Sequence, residues 1–297
     1  MRDSASRHRC WLTRGRWLPR LLSGWEGTGC TTASATSRAE SHKATIIGKA
    51  PSRWSMPSLD FDGEYGRTYR KSIQDSIPGH DVLHEIARAA IKATASDAKQ
   101  VLVVGPGPGD ELPNLLNACS DAELTVLEPS ELMLEQCRKT LSDHPGSSRC
   151  RLLPCTLNAA LEGELNGARF DLVVCHNVLH LLPSDEQNAM LRELTQCTAD
   201  GGVLLLSAYS EAEEGESQCE VFNVAWQRLV DRGVPEDRLE KIRDSRNKVV
   251  FSLDASRVAA VLEQAGWRAP LQLYQGLFIR LWLCRAEGQA EAASPET

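Results

Sequence analysis

The stretch Val101-Leu102-Val103-Val104-Gly105-Pro106-Gly107-Pro108-Gly109-Asp110-Glu111 decides the fold. Four apolar residues, three of them β-branched, make a short strand. Three glycines alternating with two prolines break it sharply, and Asp110 to Cys119 then places apolar residues at helical spacing. A strand that feeds a helix through a glycine-rich turn is the opening unit of an open α/β sheet, whose ligands sit beyond the carboxyl ends of the strands.

The same alternation continues downstream. Leu124 to Leu127 is the next strand, followed by a helix carrying Leu132, Met133, Cys137 and Leu141 and closed by His144-Pro145-Gly146. Cys150 to Leu153 is a third strand, with a short helix near Asn158 to Leu165. Phe170 to Cys175 is a fourth, and the helix after it spans Ser184 to Cys197, with Ser184 as N-cap and Gln187 in the capping-box position. Gly202 to Ala208 is the fifth. Near-continuously apolar strands alternating with helices predict a doubly wound, mostly parallel α/β sheet covered on both faces. The end of the pattern differs. A helix from Asp254 to Ala265 stops at Gly266, and two strands, Pro270 to Tyr274 and Leu277 to Cys284, have only Gln275-Gly276 between them. So short a link forces an antiparallel hairpin, which leaves one strand reversed.

The 297 residues, 42% hydrophobic and 25% charged, fit an ordinary globular chain. No uncharged apolar run approaches the roughly 18 residues of a membrane span. The net charge of -7 is uneven: residues 1–57 hold ten basic side chains against Asp3, Glu26 and Glu40, a balance of +7, which leaves -14 for the remainder. The basic segment is rich in Arg, Ser, Thr and Ala, as an organelle transit segment of a mitochondrion or plastid is; the alternative is an extension ahead of Met56 on a cytoplasmic protein. Residues 58–286 are the expected domain, with 58–96 as an N-terminal lid, 209–253 as a lid insertion and 287–297 as a disordered tail. An acidic body repels phosphate backbones and argues against nucleic acid in favour of a small molecule. Ten cysteines without a CxxC pair give neither a disulfide framework nor the ligand spacing of a metal site.

Pro106 and Pro108 lack the amide hydrogens that a phosphate needs, and Asp110 and Glu111 add negative charge at the helix start. The loop is therefore poorly suited to a pyrophosphate, and with it to a nicotinamide dinucleotide. A phosphate-free cation such as S-adenosylmethionine suits it better. Glu128 lies 19 residues beyond Gly109 at the end of the second strand. That position, with the loop before it and the strand end, points to a carboxylate accepting both hydroxyls of a ribose; the alternative is an acid at a helix entry, where Pro129-Ser130 follows.

Four motifs in order resemble the class I S-adenosylmethionine-dependent methyltransferases: Val101 to Gly109, Leu124-Thr-Val-Leu-Glu128, Phe170 through His176 to Pro183, and Ala199-Asp-Gly-Gly-Val-Leu-Leu-Leu206. The resemblance implies a Rossmann-like sheet of seven strands with a reversed last strand, helical lid elements, and S-adenosyl-L-methionine as cofactor. It implies a cofactor lying against Gly105, Pro106, Gly107, Gly109, Glu128, Pro129, Ser130, Cys155, Thr156, Leu157, Cys175 and His176. Many members place an acid after the third strand for the adenine; here the segment reads Leu153-Pro-Cys155-Thr156-Leu157, and the Thr156 hydroxyl stands in. The flanks, Phe61-Asp62, Ser72 to His80, and Leu262 to Phe278, resemble the carboxy-S-adenosylmethionine synthase group.

On the acceptor side, methyl transfer needs two reactants held in line more than it needs acid–base chemistry. Tyr65, Tyr69 and His80 on the N-terminal segment, with His176, Asn177 and His180 after the fourth strand, are the groups that could face the methyl. His180 is open to two roles, a base for an X–H acceptor or a residue packed under the cofactor. Tyr65 and Tyr69, four apart on one helix, are open to capping the cofactor or to core packing. In the 209–253 insertion, Arg243 and Arg246 are the cations expected to turn inward onto a substrate carboxylate. The leading expectation is a methyltransferase acting on a small molecule. Its alternatives are a synthase of a modified cofactor of the carboxy-S-adenosylmethionine type, and a cofactor-binding protein without turnover.

Overall fold

A computed structural model of the protein describes residues 59–211 and 216–286. The basic segment expected over 1–57, the tail over 287–297 and the acids Glu213 and Glu214 of the insertion lie outside the described residues. Two helices open the described part, α1 (Glu64–Ser76) and α2 (His80–Thr94). There follow β1 (Gln100–Val104), α3 (Leu112–Ala118), β2 (Glu123–Leu127), α4 (Glu131–Leu141), β3 (Cys150–Leu153), α5 (Leu157–Glu162), β4 (Phe170–His176), α6 (Ser184–Cys197) and β5 (Thr198–Tyr209). The chain ends through α7 (Glu216–Asp231), α8 (Glu236–Ser245), α9 (Ala255–Gln264), β6 (Leu271–Gly276) and β7 (Ile279–Arg285).

The seven strands form one sheet in the order β3-β2-β1-β4-β5-β7-β6. β1 pairs in parallel with β2 and β4, and β4 with β5, whereas β7 runs antiparallel to both β5 and β6. The reversed strand is therefore inserted beside β5, and β6 forms the edge. Strand alternation divides the core into two faces. Val101, Val103, Val174 and Leu205 pack on α2, α3 and α4 through Leu83, Ile91, Leu116 and Cys137. Leu102, Val104, Val173 and Leu206 pack on α5, α6 and α9 through Leu157, Leu191, Leu194 and Leu262. Each fully buried leucine contributes about 2 kcal/mol of transfer free energy, which is why the strands read as unbroken apolar runs.

Two local expectations are corrected. The helix α6 is flanked by Pro183, not capped by Ser184, and Gln187 makes no capping box. Its fully buried amide donates to the Phe251 carbonyl and accepts from Arg257, tying α6 to the segment before α9. The final hairpin turns at Leu277-Phe278 instead of Gln275-Gly276, and it is Leu277 that takes the left-handed conformation, with φ of 55°. Burying Phe278 against Tyr209 fixes the register at this turn, and residue preference at Gly276 yields to it.

The insertion between β5 and α9 is helical, as expected. Leu229, Val234 and Leu239 make a small core between α7 and α8. Arg228 donates to the Asp75 carbonyl, and Arg232 and Arg238 pair with the Asp75 carboxylate, so the end of α1 anchors both helices. Among the described residues no helix is long and apolar enough to cross a membrane.

Candidate active site

The glycine turn is shaped by backbone geometry. Gly105, Gly107 and Gly109 all have positive φ, at 62°, 59° and 75°. A Cβ on Gly105 would lie 2.6 Å from Val178, and one on Gly109 would lie 2.8 Å from Leu112 and 2.9 Å from the Cys137 sulfur. Only glycine fits both the conformation and the space. The Gly105 amide donates to the Leu127 carbonyl and the Cys137 thiol to the Gly107 carbonyl, which holds the turn against β2 and α4.

Glu128 leaves β2 with its carboxylate buried. One oxygen accepts from the Gly107 amide at 3.0 Å and the other from the Ser130 amide at 2.9 Å. Burial pushes its pKa up to about 7 despite these two bonds. Each carboxylate oxygen keeps a further lone pair, so the group can still accept a hydroxyl. Ser130 caps α4 by accepting from Met133, and Asp62 accepts from both the Ser130 hydroxyl and the Leu132 amide. The helix-entry role and the exposed-lone-pair role of Glu128 thus coexist.

The charge expected beside the turn is redistributed. Asp110 is paired with Arg70, and Glu111 is buried, with a pKa raised by desolvation to about 8. Neither acts as a bare anion on the loop at neutral pH. The missing amide hydrogens of Pro106 and Pro108 are what remains against a phosphate. A cation close to Glu111 would draw it into its ionised form.

Tyr69 lies over this turn: a Cβ on Gly107 would sit 3.4 Å from its ring. Phe61, Tyr65 and Tyr69 form an aromatic cluster with centroids 5.4 to 6.0 Å apart. Burial first, and then Tyr65, Glu111, Glu128 and Asp110, raises the Tyr69 phenol well above its ordinary range, so it stays a neutral donor. Tyr65 is raised by burial too, with Arg238 acting in the opposite sense. At the edge of β3, Thr156 is the N-cap of α5; its oxygen accepts from the Ala159 amide, which leaves its hydrogen to donate. Leu157 is buried and Cys155 partly so.

The ends of β4 and β5 hold the remaining candidates. Cys175 and His176 are buried; Nδ1 of His176 lies 3.2 Å from the Ser207 hydroxyl, and burial, with His84 and His80, lowers its pKa to about 3. Asn177 has φ of 58°, and its Oδ1 is buried without a hydrogen-bond partner in the protein. Asn tolerates this left-handed conformation, and the orphaned acceptor lies at the carboxyl edge of the sheet. The Ser210 hydroxyl, just after β5, is likewise buried and unpartnered.

Of the two roles open to His180, base or packed residue, the geometry is that of a packed residue. Its Nδ1 accepts from the Tyr209 amide at 3.1 Å, and its carbonyl accepts from Phe251. A neutral imidazole used this way carries its hydrogen on Nε2 and is a donor, and burial lowers its pKa to about 4. Packing and backbone support are what the structure assigns to it. Arg243 is not turned inward either; it lies exposed on α8, paired with Glu240 and Asp244. Arg246 is half-buried but makes a bidentate pair with Glu211, which also accepts from the Tyr209 hydroxyl, so its charge is already matched.

His80 opens α2, and its Nε2 lies 3.2 Å from Nε2 of His84. The sequence did not single out His84 or Ser210. A histidine in the middle of α2 carries no local motif, and Ser210 follows β5 with nothing in the sequence to mark it.

Residues 102–204 match the family of methyltransferase domains. Carboxy-S-adenosyl-L-methionine synthase of Escherichia coli is 22% identical over 233 residues, which cover 76% of this chain and 90% of that protein. An O-methyltransferase family protein from Burkholderia thailandensis superposes with a TM-score of 0.53 at 14% identity, over 77% of this chain and 64% of its own, so the chain spans under two thirds of that protein. Magnesium protoporphyrin IX methyltransferase from Synechocystis PCC 6803, solved with S-adenosylhomocysteine, gives 0.52 at 14% identity, over 76% of this chain and 96% of its own. The sheet order β3-β2-β1-β4-β5-β7-β6 with its reversed β7 is that of the class I methyltransferase fold.

Proposed function

We propose that the protein transfers a methyl group from S-adenosyl-L-methionine to a small molecule. The observation that carries this is Glu128, a buried carboxylate bonded to the Gly107 amide across the glycine turn, with lone pairs left over at the end of β2. Gly105, Pro106, Gly107 and Gly109 provide a cradle that a Cβ would fill, Glu128 accepts the ribose hydroxyls, and Pro129 and Ser130 fix its carboxylate. Cys155, Thr156 and Leu157 border the adenine. Tyr69 closes the turn from above, and Cys175, His176 and Asn177 border the methyl-bearing end.

The cofactor, when bound, supplies an activated methyl on a sulfonium. The chain's own residues do the rest: they hold the two reactants in line and keep water out. Asn177 Oδ1, buried and lacking a partner, would orient a donor on the acceptor. The 209–253 insertion, held to α1 through Asp75, would close over it. The -14 of the domain and the absent amides at Pro106 and Pro108 favour a cationic cofactor and a small acceptor over nucleic acid.

Incubation of the purified chain with S-adenosyl-L-methionine and fractionated metabolites should release S-adenosylhomocysteine in an acceptor-dependent manner, read by mass spectrometry. Binding of the cofactor without release in any fraction would leave a protein that binds but does not turn over. A second reading, a synthase of a carboxylated cofactor, is favoured by the 22% identity that extends over 90% of the Escherichia coli synthase. It requires a cation free to meet an added carboxylate. Arg246, already paired with Glu211, does not meet that need, and a co-purified cofactor heavier than S-adenosyl-L-methionine would be required to establish it.

A further inference from the structure

A line of polar groups runs inward from the surface along α2. Asp81 is 91% exposed in its side chain, and its carboxylate lies 3.4 Å from Nδ1 of His80. Nε2 of His80 lies 3.2 Å from Nε2 of His84, and the ring of His84 meets that of His176 edge to face at 5.7 Å between centroids. Beyond it, His176 bonds the Ser207 hydroxyl at the end of β5. His84, His176, Glu111 and Asn114 also line a cavity of about 10 Å³, room for a single water molecule.

The tautomers of this line follow from its outer end. An ionised carboxylate only accepts, so His80 must carry its hydrogen on Nδ1. Neutral His80 then presents a lone pair at Nε2, and His84 must donate its Nε2 hydrogen to it. That leaves Nδ1 of His84 as an unprotonated base inside the protein.

We propose that Asp81, His80 and His84 form a proton relay that carries away the proton released when an X–H acceptor is methylated beside His176. The proposal rests on the methyltransferase reading above. The bonds balance as follows. The C–S bond breaks with its pair kept by sulfur, and the C–X bond forms from a pair on X. The X–H proton leaves through a water in the cavity that His84 and His176 line, to Nδ1 of His84. His84 passes its Nε2 hydrogen to Nε2 of His80, His80 releases its Nδ1 hydrogen past Asp81 to solvent, and proton exchange with water once the products have left restores the starting tautomers. The cationic charge lost at sulfur is thus replaced by one held transiently on the histidines. The charged and titratable groups facing His84 are His80 and Asp81 on its own helix, Arg88 one turn on, Asp110 and Glu111 before α3, and His176 on β4. Burial and His80 lower its pKa to about 4, with Asp110 and Asp81 acting against them, so it gives up its proton readily at neutral pH.

The test compares S-adenosyl-L-methionine with S-adenosylhomocysteine, which lacks the sulfonium charge. Calorimetric titration of the full chain near pH 4.5, in buffers of different ionisation heat, counts protons taken up on binding. The neutral product complex should take up on the order of 0.2 proton more than the cationic one, and His84→Gln should abolish that difference. Equal uptake with both ligands would overturn the relay. Nitrogen-15 spectra of labelled histidines in the ligand-free protein, with His80→Gln for assignment, should show His84 protonated at Nε2 and His80 at Nδ1; the reverse tautomers would also overturn it. Failure of either ligand to bind would instead refute the cofactor reading, and the tautomer spectra, which need no ligand, would still decide the relay.

Discussion

The two halves of the sheet's carboxyl edge are built by different means. Around β1 and β2 the site is made by backbone: amides at Gly107 and Ser130 hold Glu128, and three left-handed glycines hold the turn. Around β4 and β5 it is made by side chains from far apart in the chain. His84 from α2 meets His176, His180 meets the Tyr209 amide, and Glu211 meets Arg246. The first half depends on residues that are close in sequence or at fixed offsets. The second half depends on tertiary packing, which leaves it free to differ with the acceptor.

The sharpest way to break the first half is Gly109→Ala. The new Cβ falls within 3.0 Å of Leu112 and Cys137 at a φ of 75°, so a loss of about 3 kcal/mol in unfolding free energy is expected from urea denaturation, together with loss of cofactor binding. Glu128→Ala removes the acceptor and leaves the fold's strands intact. Each hydrogen bond to a charged group contributes roughly 1.5 kcal/mol, so calorimetry should show S-adenosyl-L-methionine bound about 100-fold more weakly.

In the second half the expected effects fall on stability more than on the cofactor. Arg246→Leu takes the bidentate partner from Glu211 and should cost about 2 kcal/mol in unfolding free energy, with cofactor affinity changed less than twofold. A further effect depends on pH. Glu111 titrates in the folded protein near 8, against an ordinary value of 4.5, so the folded state holds more protons than the unfolded between these values. Its contribution to stability is therefore full below about 4.5 and is lost as the pH rises towards 8. Glu111→Leu should raise Tm at about pH 8.5 by about 5 °C relative to the wild type and give no such gain near pH 5.

The histidines carry the opposite sign. His84 and His180 titrate near 4 and His176 near 3, all below the ordinary 6.5, so the unfolded chain takes up protons first as the pH falls. Stability is held above 6.5 and lost on acidification towards 4, by roughly 3 kcal/mol for a histidine lowered by two and a half pH units. The sheet edge is thus weakened by acid through β4 and β5 and by alkali through the glycine turn. A bell-shaped Tm against pH, losing its alkaline limb in Glu111→Leu, would sharpen the contrast between the two halves; an unchanged alkaline limb would break it.

Much of this was legible in the sequence. Apolar runs, glycine breaks and helical spacing place every strand within a few residues, because burial on both faces leaves a period that local composition cannot hide. The hairpin after α9 required a reversed strand, and β7 is reversed. The turn from Gly105 to Gly109 and the carboxylate of Glu128 behind it could be read because their parts lie at fixed offsets. The acceptor half could not. His180 stood at a functional-looking position, yet its ring nitrogen is consumed by a backbone amide at the end of the neighbouring strand β5, and Arg246 was matched by an acid 35 residues earlier.

By itself the sequence determined the layering of the domain, the order of its strands along the chain, and the glycine turn with its carboxylate, since each follows from steric limits and hydrophobic period over short stretches. Only the tertiary structure decided which charges are spent and which are left. Arg70 neutralises Asp110, Glu211 neutralises Arg246, burial makes Glu111 hold its proton, and α2 brings His84 against His176. Pairing and desolvation depend on neighbours brought together by folding, and no pattern within one segment encodes them.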